Sequence, residues 1–154
     1  MAYPAAKSMI GDGVDRVLTR EVFLHFLDLE VKRSRRYQNF FSVLVLRLDE
    51  LPDHGNGKAI QACWGRLIRL LAEEMRDSDI LGALGEKRLA VILPYADLMA
   101  GGHTRSRFEG SLQFYDFGRD GFRVSIEQVC FPRDGTDTSD LVRKVAGPET
   151  LQQI

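Results

Sequence analysis

The chain has 154 residues, 44% of them apolar and 9% aromatic, which suits one domain with a single sizeable core. Its 21 Lys and Arg nearly cancel its 22 Asp and Glu, for a formal net charge of −1. That balance excludes a strong overall field toward nucleic acid or a membrane surface, so any anionic ligand must be held by a local cluster.

No apolar run reaches the roughly 18 residues of a membrane span. The opening MAYPAAKSMIGDGVD has no basic region followed by a long apolar stretch, so no signal peptide is expected and residues 1–15 read as a flexible lead-in. Cys63 and Cys130 are far apart and read as buried thiols in a reducing cytosol. His25, His54 and His103 are too scattered to suggest a metal site.

Val22, Phe23, Phe26, Leu29 and Val31 recur at helical spacing behind Thr19, an N-cap candidate. The basic stretch Lys32-Arg33-Ser34-Arg35-Arg36 reads as a solvated end of this helix, where cations suit the negative pole of the dipole. Phe41 to Leu48 is a nearly continuous apolar run, which predicts a central strand covered on both faces. A loop at Asp53 to Gly57 leads to a second helix over about Lys58 to Arg76, with Ile60, Trp64, Leu67, Leu71 and Met75 on one face. Trp64 reads as a core anchor rather than a stacking platform.

Ile80 to Leu84 and Leu89 to Leu93 predict a hairpin, closed by Pro94. A weaker, Gly-interrupted helix follows over Asp97 to Leu112. Phe122 to Phe131 predicts another strand, with Gln113 to Phe117 as a candidate partner through Gly118-Arg119-Asp120-Gly121. Ser139 to Val145 predicts a last short helix, ended by Ala146-Gly147-Pro148-Glu149. The order predicts an α/β sandwich, a central mixed sheet with helices packed around it. Residues 16–146 form the domain and residues 147–154 a tail.

This order, with these residues, resembles the GGDEF family of diguanylate cyclases over about Thr19 to Val145. Thr19-Arg20-Glu21-Val22-Phe23 is similar to the family's Asn-Arg-Arg-x-Phe opening, and Val43 to Asp49 to its strand ending in Asp-x-Asp. Leu84 to Pro94 sits where the family carries its Gly-Gly-Asp/Glu-Glu-Phe turn and the strand after it. Val124-Ser125-Ile126 and Pro132-Arg133-Asp134-Gly135 resemble two late family segments. The resemblance implies a nucleotide-cyclase-like sandwich and chemistry on GTP, which needs metal ions held by carboxylates.

At those positions the sequence departs from the family. The first Asp of Asp-x-Asp is here Arg47, and the signature turn aligns as Gly85-Glu86-Lys87-Arg88-Leu89. Lys87 and Arg88 therefore replace two acids, leaving Asp49 and Glu86 among repulsive neighbours. The family's guanine-binding Asn falls near Gly55 and its guanine-binding Asp near Gln61. The resemblance thus predicts a degenerate domain with no catalytic residues, metal or cofactor. For Lys87 and Arg88 the plain reading is solvated surface at a hairpin tip. Metal-free capture of a phosphate with Arg47, or a protein contact, are the alternatives. Arg20 matches a family arginine but also suits an exposed first turn.

Many GGDEF domains carry an inhibitory site, Arg-x-x-Asp, five residues before the signature turn. Arg76-Asp77-Ser78-Asp79, then Ile80 to Leu84 and Gly85, has that spacing. The plain alternative is a helix C-terminus with a cation near the dipole. Guanidinium can fork onto guanine O6 and N7 or stack on its face, and carboxylate can accept from N1–H and N2–H. In the family a further arginine from the next helix completes the pocket. Counting forward reaches Arg107, with Arg105 two residues away, and Gly101-Gly102 leaves the helix phase open. The expected function is therefore a cytoplasmic, non-enzymatic receptor for the bacterial second messenger cyclic di-GMP. The alternative is a ligand-free scaffold, acting by dimerising with itself, another GGDEF-type domain or an output partner.

Overall fold

The structure is a computed structural model and describes residues 16–52 and 59–147. The lead-in at 1–15, the loop at 53–57 and residues 148–154 of the tail lie outside the described residues. The chain order is β1 (Val17–Leu18), α1 (Arg20–Tyr37), β2 (Phe41–Glu50), α2 (Ala59–Glu74), β3 (Ile80–Gly85), β4 (Arg88–Pro94), α3 (Leu98–Leu112), a 3-10 turn (Phe117–Asp120), β5 (Phe122–Phe131) and α4 (Thr138–Ala146).

The strands form one five-stranded sheet in the order β1-β3-β4-β2-β5. β1 runs parallel to β3, and the other neighbours are antiparallel, so the sheet is mixed. The continuous apolar run of β2 is explained by cover on both faces. Leu44, Leu46 and Leu48 pack with Leu67 and Leu71 of α2 and Phe108 of α3. Val43 and Val45 pack on the opposite face with Phe23 and Leu27 of α1 and Leu141 and Val145 of α4. Period-two alternation of a strand sends neighbouring side chains into separate layers, so both must be apolar.

Thr19 caps α1, its side chain accepting from the Val22 amide at 3.3 Å. The basic stretch is the last part of α1 itself. It is only partly a solvated end: Ser34 is buried, Arg33 pairs with Glu30, and Arg35 Nη2 donates to Thr136 O at 2.6 Å. Asp97 caps α3 by accepting from the Ala100 amide at 2.8 Å. The glycine behind the weak helical signal there has a packing cause. A Cβ on Gly101 would lie 2.3 Å from Gln128 Nε2 and 2.6 Å from Ser42 Oγ, so α3 approaches the sheet at its glycine. Trp64 is half-buried against the core, as expected of an anchor. Cys63 and Cys130 are both buried, and burial, with a smaller push from the Asp120 charge, raises the Cys63 thiol to about 11, which makes it a packing group.

One predicted element is corrected. Gln113 to Phe117 is not a strand, and β5 has no hairpin partner before it. Asp116 caps the 3-10 turn by accepting from the Arg119 amide at 3.3 Å, Tyr115 bonds Asp120, and the Tyr115 and Phe117 rings meet edge to face at 4.8 Å. These local side-chain bonds outcompete a ladder. β5 pairs with β2 over its full length instead.

Candidate functional site

α2 ends at Glu74, and Arg76 to Asp79 form the turn into β3. Asp79 Oδ2 accepts from the Arg76 amide at 2.8 Å, and the Asp79 amide donates to Arg76 O at 3.1 Å. Asp79 is 9% exposed, whereas the Arg76 side chain is open to solvent. Asp79 Oδ1 carries no hydrogen bond among the described residues. Burial raises the Asp79 pKa above the ordinary carboxylate value. The Arg76 amide bond and the charges of Arg76, Arg16 and Arg107 oppose that rise.

Arg16 was not singled out by sequence reasoning. Its Nη2 donates to Arg76 O at 3.0 Å and to Asp79 O at 3.4 Å, fastening the turn from a residue 60 positions away. Only the parallel pairing of β1 with β3 brings it there, and no local pattern signals that contact.

The structure places the two candidate arginines of α3 apart. Arg107 Nη2 donates to Glu74 O at 3.3 Å, and its Nε lies 3.9 Å from Glu74 Oε2, beside the Arg76 turn. Ser111 Oγ donates to Glu74 Oε1 at 2.6 Å from the same helix face. Arg105 instead pairs with Glu109 at 3.8 Å and lines a groove between α3 and β5, together with Phe117, Val124 and Ile126. Arg76, Asp79, Arg107 and Arg16 therefore form one cluster, and Arg105 belongs to another surface. Neither the groove between α3 and β5 nor the one at the β3–β4 turn is lined by Arg76 or Asp79.

The second groove, of about 710 Å³, lies at the β3–β4 turn, where Arg20, Arg47, Asp49, Glu86, Lys87 and Arg88 line it with Gly85. The hairpin tip is exposed at Glu86 and Lys87, and the cations of the groove also meet groups within the chain. Lys87 Nζ lies 3.1 Å from Glu50 Oε1, and Arg88 Nη1 donates to Val145 O at 3.1 Å in the last turn of α4. Arg47, directly across from Arg88 in the ladder, lies 3.5 Å from Glu127 Oε1. Asp49 Oδ2 is 4.0 Å from Arg123. Gln61 is exposed on α2, and Gly55 lies outside the described residues.

The sequence matches no family model and no curated protein. Solved structures do resemble it. The GGDEF domain of YfiN (TpbB) from Pseudomonas aeruginosa is 17% identical with a TM-score of 0.73, over 84% of this chain and 85% of that one. The active GGEEF domain of a diguanylate cyclase from Vibrio cholerae is 12% identical with a TM-score of 0.71, over 89% and 90%. A microbial GGDEF domain, solved to show a novel interaction mode with cyclic di-GMP, is 18% identical with a TM-score of 0.66, over 84% and 80%. The chain thus has the GGDEF-like fold.

The side chains lining the groove at the β3–β4 turn include several cations. Arg47, Lys87 and Arg88 would repel a divalent cation, which requires hard anionic oxygens. Among the described residues, no three His, Cys, Asp or Glu side chains are grouped to hold an ion.

Proposed function

We propose that this chain is a non-catalytic receptor for cyclic di-GMP, binding at Arg76, Asp79 and Arg107. The observation that carries the reading is the gathering of Arg76, Arg107 and Arg16 around Asp79, five residues before the β3–β4 turn. The exposed Arg76 guanidinium can fork onto guanine O6 and N7 or stack on the base. Asp79 Oδ1 is left to accept from guanine N1–H and N2–H. Arg107 adds charge for the phosphates. Cations at three expected acidic positions support the absence of cyclase activity. The ligand would lie on the surface between the turn and α3, outside the grooves at the β3–β4 turn and between α3 and β5.

A second reading, a ligand-free scaffold, is favoured by one observation. Asp79 Oδ2 already closes its own turn, so an Arg-x-x-Asp pair has a structural use without any ligand. Calorimetric titration with cyclic di-GMP, GTP and ATP separates the readings. Selective heat with cyclic di-GMP supports the receptor, and silence with all three overturns it in favour of the scaffold.

A further inference from the structure

β5 ends the sheet, and its outer edge has no strand beside it among the described residues. The Leu51 amide bonds Gly121 O at 2.8 Å in the same register that pairs Glu50 with Phe122. Odd-numbered residues of β5 therefore turn their N–H and C=O toward β2, and even-numbered ones turn theirs outward. At Cys130 the outward groups are already satisfied: its amide donates to Asp134 Oδ2 at 2.7 Å and its carbonyl accepts from the Asp134 amide at 2.8 Å. The open stretch is Phe122 to Gln128. A long open edge is a template for pairing with another chain unless it is blocked.

We infer that this edge is a homodimerisation surface, where β5 pairs antiparallel with β5 of a second copy about a two-fold axis at Ser125. That register sets Arg123 opposite Glu127 of the second copy, and the reverse, at non-hydrogen-bonded positions where side chains approach most closely. Both are well exposed, 74% and 57%, and each also has a long ion pair within its own chain, Arg123 with Asp49 at 4.0 Å and Glu127 with Arg47 at 3.5 Å, so the pair across the axis adds to or replaces a weak surface contact. On the other face Val124 meets Ile126 of the second copy, beside the open groove of about 630 Å³ that both line. The even-numbered residues meet as hydrogen-bonded pairs, so each outward N–H and C=O finds a partner.

Charge selects this register alone. Moving the axis to residue 124 puts Arg123 opposite Ser125 and Glu127 opposite Gly121. Moving it to residue 126 puts Glu127 opposite Ser125 and Arg123 opposite Val129. In both cases the opposite charges lose each other. This surface is remote from Arg76 and does not rest on the receptor reading.

Sedimentation velocity without nucleotide tests it. The 17.4 kDa chain is expected to reach twice that mass as concentration rises. Arg123→Glu and Glu127→Arg each place like charges together and weaken the dimer at least tenfold, and the double exchange restores it. Ser125→Cys brings two thiols to a pair about 4.5 Å apart between Cα atoms, within disulfide reach, so mild oxidation yields a cross-linked dimer absent from the wild type. A wild type that stays monomeric at every soluble concentration overturns the inference, as does a dimer that both single reversals leave intact. A dimer that Ser125→Cys fails to cross-link overturns the register.

Discussion

Asp79 and Arg76 close a turn on each other, carboxylate to amide at 2.8 Å and amide to carbonyl at 3.1 Å. The pair that resembles a nucleotide-recognition motif is thus also a local structural device. The backbone of Arg76 is held by Asp79 and Arg16, which leaves its guanidinium projecting from a fixed base. Ordering that base before a ligand arrives reduces the entropic cost of binding.

The three arginines of the motif region are expected to separate by function. Arg76→Ala removes charge-assisted contacts worth about 1.5–3 kcal/mol, a loss of roughly ten- to a hundredfold in cyclic di-GMP affinity. Arg107→Ala weakens binding less, because its guanidinium is shared with Glu74. Arg105→Ala leaves affinity unchanged, since it faces the groove beside β5. Calorimetry on the three variants checks the order, and a loss at Arg105 equal to that at Arg76 contradicts the assigned site.

Asp79 titration is expected to be visible in stability. Its folded pKa is raised above the ordinary 3.8 by burial, so ionisation costs the folded state more than the unfolded one. The cost is absent below about the unfolded value and grows as pH rises through the folded one. Asp79→Asn keeps an oxygen for the Arg76 amide and removes the charge. Its stability relative to wild type should therefore improve from acid to neutral pH. Asp79→Ala shares that pH trend but orphans a backbone donor, which costs about 1–3 kcal/mol more than Asp79→Asn. Thermal melts across that range give the comparison, and a difference that runs the other way refutes the sign.

With GTP and Mg²⁺ the purified protein is expected to form no cyclic di-GMP. Separation of the nucleotides by chromatography reads this directly, and a product peak would refute the non-catalytic assignment.

Arg88→Ala is expected to loosen the end of α4. The Arg88 guanidinium caps Val145 O, a favourable place for a cation at a helix C-terminus, and its loss costs about 0.5–1.5 kcal/mol. Faster amide exchange in the last turn of α4, with little change in β2, is the expected pattern.

Gly82→Ala should destabilise the domain more than a surface change would. An added Cβ would lie 2.5 Å from Phe23, whose side chain is fully buried and has no room to retreat. Overpacking of this kind costs about 1–3 kcal/mol, measurable by denaturant titration.

The sequence by itself determined what depends on neighbours along the chain. The helix cap at Thr19, the two-faced burial of β2 and the tight turn after Gly85 follow from periodicity and local bonding, and the Arg76-x-x-Asp79 spacing from resemblance to a family motif. The predicted strand at Gln113 to Phe117 fails on the same scale, because Asp116 caps a 3-10 turn that the alternation argument does not weigh. Tertiary structure decided what depends on residues far apart. Arg105 and Arg107 differ by about 200° around a helix, so only the seating of α3 on the sheet could say which one reaches Glu74. Arg16 reaches the Arg76 turn through a parallel pairing of two residues, too short to leave a pattern. The partners of Lys87 and Arg88 come from β2 and α4, contacts that only the assembled sheet and helices bring within reach.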